Sequence, residues 1–108
     1  MAYDEELAHR IRAALAGRDG VREKRMFGGL AFLVDGHMAV AAASAGSLMV
    51  RVDPADADGL LDGDRVARMV MRGSELKGWL LVDPAALADD EALAGWVARG
   101  VAYVDGLP

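Results

Sequence analysis

Ser74-Glu75-Leu76-Lys77 is the first stretch of this sequence whose residue types and spacing could do chemistry. In an S-x-x-K motif a serine nucleophile lies one helical turn from a lysine that can take its proton. The companion motifs S-D-N and K-T-G cannot occur, because the chain contains neither asparagine nor threonine. Gly73 and Gly78 flank the stretch and oppose a long helix there. A Ser-His-Asp triad would have to draw on Ser44, Ser47 or Ser74 together with His9 or His37. The G-x-S-x-G elbow that exposes a serine nucleophile is absent. His9 stands beside Arg10 and Arg12 on a helical stretch, a surface position. His37 follows a turn and reads as a partly exposed strand residue. No catalytic residue is assigned, and the expectation is a protein that is not an enzyme.

Metal chemistry is equally poorly supplied. With 0 cysteines there is no thiolate site, disulfide or iron–sulfur cluster, and two distant histidines do not converge on a metal. Asp53, Asp56 and Asp58 resemble the start of a calcium loop. Pro54 then occupies the second position, and Asp64 stands where such a loop needs a bidentate glutamate. Helix capping explains Asp53 better. Gly28-Gly29 precedes a strand, whereas a phosphate-binding glycine loop follows a strand and opens a helix. The pair reads as a bend that tucks Phe27 under the sheet. No metal and no cofactor is expected.

The formal net charge is −5, from 12 basic and 17 acidic residues, which argues against a general nucleic-acid coat. The charge is nevertheless clustered. Arg18, Arg22, Lys24 and Arg25 gather around what reads as one loop, and Arg65, Arg68, Arg72 and Lys77 form a second group. Segments 53–64 and 83–91 carry acids without a base. Either basic group could meet phosphates, and arginine can read guanine. The usual adenine readers, asparagine and glutamine, are missing. The few aromatics do not form the pattern of an RNA-binding sheet. Direct nucleic-acid binding therefore stands as the alternative reading, behind protein–protein interaction. Met26, Met38, Met49, Met69 and Met71 either fill gaps in a core or line an adaptable contact surface.

These residues need elements to position them. At 108 residues, 54% hydrophobic and 27% charged, the chain suits one globular domain over residues 1–108. Three acids precede the first base, so no signal peptide is indicated. No run of about 18 apolar residues could span a membrane. A cytoplasmic location is expected. Leu7, Ile11 and Leu15 predict a helix over 4–17. A hairpin is predicted over 30–34 and 37–43, because Asp35-Gly36 suits a type I′ turn. That turn would pair Val34 with His37, Leu33 with Met38, Phe32 with Ala39 and Ala31 with Val40. Both hairpin faces are then apolar. One should meet the helices; the other should be covered by a further element or a second subunit, which predicts a homodimer.

A strand is predicted over 47–52, and a helix from Asp53-Pro54 to about Leu61. Strands over 66–71 and 79–82 follow, with a loop around Gly73 and Gly78. Asp83-Pro84 repeats the capping device, and a helix runs from Asp89 to about Val104. The order is α-βββ-α-ββ-α. The expected class is α+β, with helices on a largely antiparallel five-stranded sheet.

One set of motifs is recognisable. Lys24-Arg25-Met26-Phe27-Gly28-Gly29, then Asp35-Gly36-His37-Met38 and Leu48-Met49-Val50-Arg51-Val52-Asp53, resembles the TfoX/Sxy family N-terminal domain. Lys77-Gly78-Trp79-Leu80-Leu81-Val82, Asp89-Asp90-Glu91 and Leu93 through Trp96-Val97 are similar to its small stand-alone members. The resemblance spans roughly residues 4–104 and implies a five-stranded antiparallel sheet of the secretion-chaperone-like fold. It also implies a regulatory, non-enzymatic role, since the family takes its name from regulators of natural competence that act with transcription machinery. Those regulators carry a second domain, so a chain ending at Pro108 is expected to act without that part. Gly28, Gly29, Asp35 and Gly36 are expected as structural signature positions. Arg22, Lys24, Arg25 and Phe27 are expected to form a contact surface for a protein partner.

Overall fold

The computed structural model describes residues 3–26, 28–63, 65–71 and 73–107. Helix α1 (Glu5–Ala14) starts where the Asp4 carboxylate accepts the backbone N–H groups of Glu6 and Leu7, at 2.9 and 3.3 Å. This cap satisfies two donors that the first turn would otherwise leave unpaired. Four strands follow: β1 (Val21–Met26), β2 (Gly29–Val34), β3 (His37–Ala42) and β4 (Leu48–Arg51). Helix α2 (Pro54–Leu60) leads to β5 (Val66–Met71) and β6 (Ser74–Val82), and α3 (Asp90–Asp105) ends the fold. Two Asp-Pro steps use the same device. Asp53 caps α2 through Ala55 N, and Asp83 caps a 3₁₀ turn, Pro84–Leu87, through Ala85 N, each at 2.9 Å.

The sheet has six strands in the order β1-β2-β3-β4-β6-β5, and every neighbouring pair is antiparallel. The α+β class is as expected, but the strand count is corrected from five to six. The addition is β1, whose residues read as a basic loop. Val-Arg-Glu-Lys-Arg-Met shows no apolar alternation, because the strand lies at the sheet edge and both its faces stay largely exposed. Charged side chains suit an edge, since they discourage pairing with another chain. Strand β6 also starts earlier than expected, at Ser74. Ser74 and Lys77 thus sit on a strand, where no helical turn aligns them.

The Asp35-Gly36 turn has positive φ at both residues, 52° and 87°, as type I′ requires. Val34 pairs with His37 and Leu33 with Met38, as expected. Beyond them a bulge at Ala39 shifts the register, so Phe32 opposes Val40 and Ala31 opposes Ala41. This corrects the uniform hairpin register. The shift puts Phe32 and Val40 together on the helix side, both 0% exposed.

The helices cover one face of the sheet. Leu30, Phe32, Val40, Leu48, Val50 and Leu80 supply the floor of that core. Leu7 and Ile11 of α1, with Leu93, Val97 and Val101 of α3, close it from above. Gly100 lets α3 approach the bulge, because a Cβ there would stand only 2.6 Å from the Ala39 carbonyl oxygen. The opposite face carries a second apolar cluster, centred on Ala31, Ala41 and Met49. Met26, Leu33, Met38, Ala43, Met69, Trp79 and Leu81 pack around these three. All belong to strands except Ala43, which directly follows β3, and no described helix contributes a residue to this cluster.

Candidate interaction surface

Strand β1 splits the expected contact residues between the two faces. Cross-strand partners share a face. Arg22 opposes Leu33 and Lys24 opposes Ala31, which places both cations on the uncovered side. Arg25 opposes Leu30 and Glu23 opposes Phe32, so these two belong to the helix side. Phe27 lies outside the described residues, as do Asp64 and Arg72. As a run of charge, Arg22, Lys24 and Arg25 read as one loop surface; period-two alternation along a strand separates them.

Four arginines of the helix side are tied to carboxylates, and Arg25 is not among them. Arg10 meets Asp90 at 3.0 Å and also donates to the Leu87 carbonyl at 2.7 Å. Arg12 grips Glu23 with two hydrogen bonds of 2.6 and 2.7 Å. Those bonds hold the Glu23 carboxyl below its ordinary range, against the opposing effect of partial desolvation. Arg18 pairs with Asp105, and Arg68 with Asp58 and Glu75. Arg22 and Lys24 have no such partner among the described residues.

One further cation borders the uncovered face and was missed. Arg51 opposes Trp79 across β4 and β6. Its guanidinium carbon lies 5.9 Å from the Trp79 ring centroid and 5.5 Å from that of Tyr103. Both distances fall in the range of cation–π attraction. The signal was present in Leu48-Met49-Val50-Arg51, since alternation puts Met49 and Arg51 on one face.

The two histidines considered for catalysis lie apart from the two grooves beside α2, while Lys77 borders one of them. His9 is exposed on α1 and His37 is half-buried beside the hairpin turn. A groove of about 400 Å³ lies between α2 and β6, bordered by Pro54, Ala57, Arg68, Leu76 and Trp79. A shallower one of about 490 Å³ lies between α2 and α3, bordered by Asp53, Asp56, Arg99 and Tyr103. Neither histidine lines either groove. Asp53 spends its carboxylate on the α2 cap.

The model of the family described as the TfoX N-terminal domain matches residues 13–103. The chain belongs to that family. No curated protein and no solved structure matches it. In this TfoX N-terminal domain the glycine pair builds the β1–β2 turn. Gly28 has φ +74°, and a Cβ on Gly29 would collide with the Ala42 carbonyl of β3. With Asp35-Gly36 at the next turn, these residues shape a three-strand meander, β1–β2–β3. That meander presents Arg22, Lys24, Leu33 and Met38 on the uncovered side of the TfoX N-terminal domain. Among its described residues no helix is long and apolar enough to cross a membrane.

Proposed function

We propose that this chain is a non-enzymatic interaction module of a regulatory protein, and that it contacts a protein partner through the uncovered face of its sheet. The observation that carries this reading is the ring of half-buried apolar side chains, Met26, Leu33, Met38, Met69, Trp79 and Leu81, around the already buried Ala31, Ala41 and Met49, on a face that no described helix covers. That half-buried ring gains free energy when another surface takes its remaining exposed area out of water. Membership of the TfoX N-terminal domain family supports a competence-regulator-like role.

The test is capture from an extract of the native cell. Proteins retained by the wild-type chain should be lost from an Arg22→Glu/Lys24→Glu variant and kept by Arg25→Glu, whose side chain belongs to the other face. Equal capture by all three chains would refute the surface. A second reading, direct nucleic-acid binding, draws on Arg22 and Lys24, which pair with no carboxylate among the described residues. It requires a mobility shift at low salt that weakens steeply as salt rises. A homodimer formed through the same face is the remaining alternative, and light scattering at high protein concentration tests it.

A further inference from the structure

We infer that the uncovered sheet face is a dock for an acidic amphipathic helix of a partner protein, held by its apolar stripe and oriented by Arg22 and Lys24. This rests on the interaction reading and names the partner's chemistry. Cross-strand partners of the apolar cluster are Gly29, Ala67, other cluster members, or a cation: Arg22, Lys24 or Arg51. None of them is acidic. In a chain of net charge −5, the charged residues paired with this cluster are thus all basic among the described residues. Met26, Met38 and Met69 make its surface adaptable, as suits a helix whose sequence is not uniquely specified.

The dimensions agree. Strands β1 to β4 at about 4.8 Å spacing give a floor about 15 Å wide, and a helix with side chains is about 10 Å across. An amphipathic helix supplies an apolar stripe for the methionines and flanking carboxylates for the edge cations. A second copy fits less well, because face-to-face packing of identical surfaces sets Arg22 and Lys24 against a face without acidic residues. Nucleic acid fits less well too. It needs a stacking platform, and Trp79 is the aromatic member of the described cluster.

The experiment uses the full chain labelled at its methionine methyl groups with carbon-13, read by NMR. The probes are two helical peptides of about 18 residues, each with a leucine stripe. One carries glutamate on its flanks and the other lysine. The glutamate peptide should shift the Met26, Met38 and Met69 methyl signals and bind more weakly as salt rises. The Arg22→Glu/Lys24→Glu variant should lose about tenfold in affinity for it. Equal binding of the lysine peptide would overturn the proposal. So would methyl signals that stay unmoved by the glutamate peptide at millimolar concentration. The proposal also falls if only a single-stranded oligonucleotide shifts them, or if they move with protein concentration alone. If the glutamate peptide fails while a protein captured from extract shifts these methyls, the interaction reading survives and the acidic-helix assignment falls.

Discussion

Gly100 and Glu23 show how single residues carry this fold. Alanine is favoured over glycine inside a helix by about 1 kcal/mol. At position 100 that preference is overridden, because the added Cβ would press on a backbone carbonyl of β3 that has no rotamer to yield. Gly100→Ala should destabilise the protein by about 1–3 kcal/mol, measured by urea unfolding. Glu23 carries a pH signature. Its carboxyl is held low by the Arg12 hydrogen bonds, so the unfolded chain takes up that proton more readily than the folded one. The resulting stabilisation is present above the ordinary carboxylate range and is lost as pH falls through the lowered value. Because the pair is partly exposed, Glu23→Gln should cost no more than about 1 kcal/mol at pH 7. In strong acid its unfolding midpoint should converge with that of wild type. A gap that persists in acid would assign the loss to something other than the ion pair.

Elements differed in how plainly they could be read. The α3 helix was legible at both ends, since Asp89 caps it through Ala92 N at 2.7 Å and its stripe of Leu93, Val97 and Val101 repeats at helical spacing. Asp89→Ala should lower stability by about 1 kcal/mol in thermal or denaturant unfolding. The Asp35-Gly36 turn was legible because its backbone requirement is local. The bulge at Ala39 was not, because nothing within the hairpin demands it. It serves the helix side, where α3 bears on β3. Strand β1 was illegible for the opposite reason: an edge strand answers to one neighbour and to water, so it carries no apolar period. Its pairing makes a separate prediction. The Asp35 amide donates to the Gly20 carbonyl at 3.0 Å, which sets the alternation of hydrogen bonds along the ladder. Amides of Arg22 and Lys24 should therefore exchange with deuterium more slowly than those of Glu23 and Arg25. Uniformly fast exchange would mean a loop after all.

For the whole molecule, the decisive feature is a sheet whose described helices all lie on one side. Phe32 and Leu33 are chain neighbours on opposite faces, so substituting each in turn tests whether folding and the proposed recognition are separable. Phe32→Ala empties the helix-side core and should cost about 3–5 kcal/mol. Leu33→Ser alters a half-buried position on the uncovered face. Its effect on unfolding should stay below about 1 kcal/mol, while its effect on partner binding should be large. The reverse ranking would show that the second cluster holds the fold together and is not a contact surface.

The sequence by itself determined the α+β class, the hairpin turn, the three helix starts and the family to which the motifs belong. The class, the turn and the helix starts follow from local rules, periodicity, capping and positive φ, and the family from the resemblance of its motifs. It also indicated that the hairpin would be apolar on both faces. Only the tertiary structure decided which face the helices take, and hence which cations of β1 lie beside the helices and which lie on the uncovered side. Arg22, Lys24 and Arg25 are interchangeable as a run of charge. Cross-strand pairing distributes them, because the side to which each belongs depends on the strand that pairs with it and on where α1 and α3 lie.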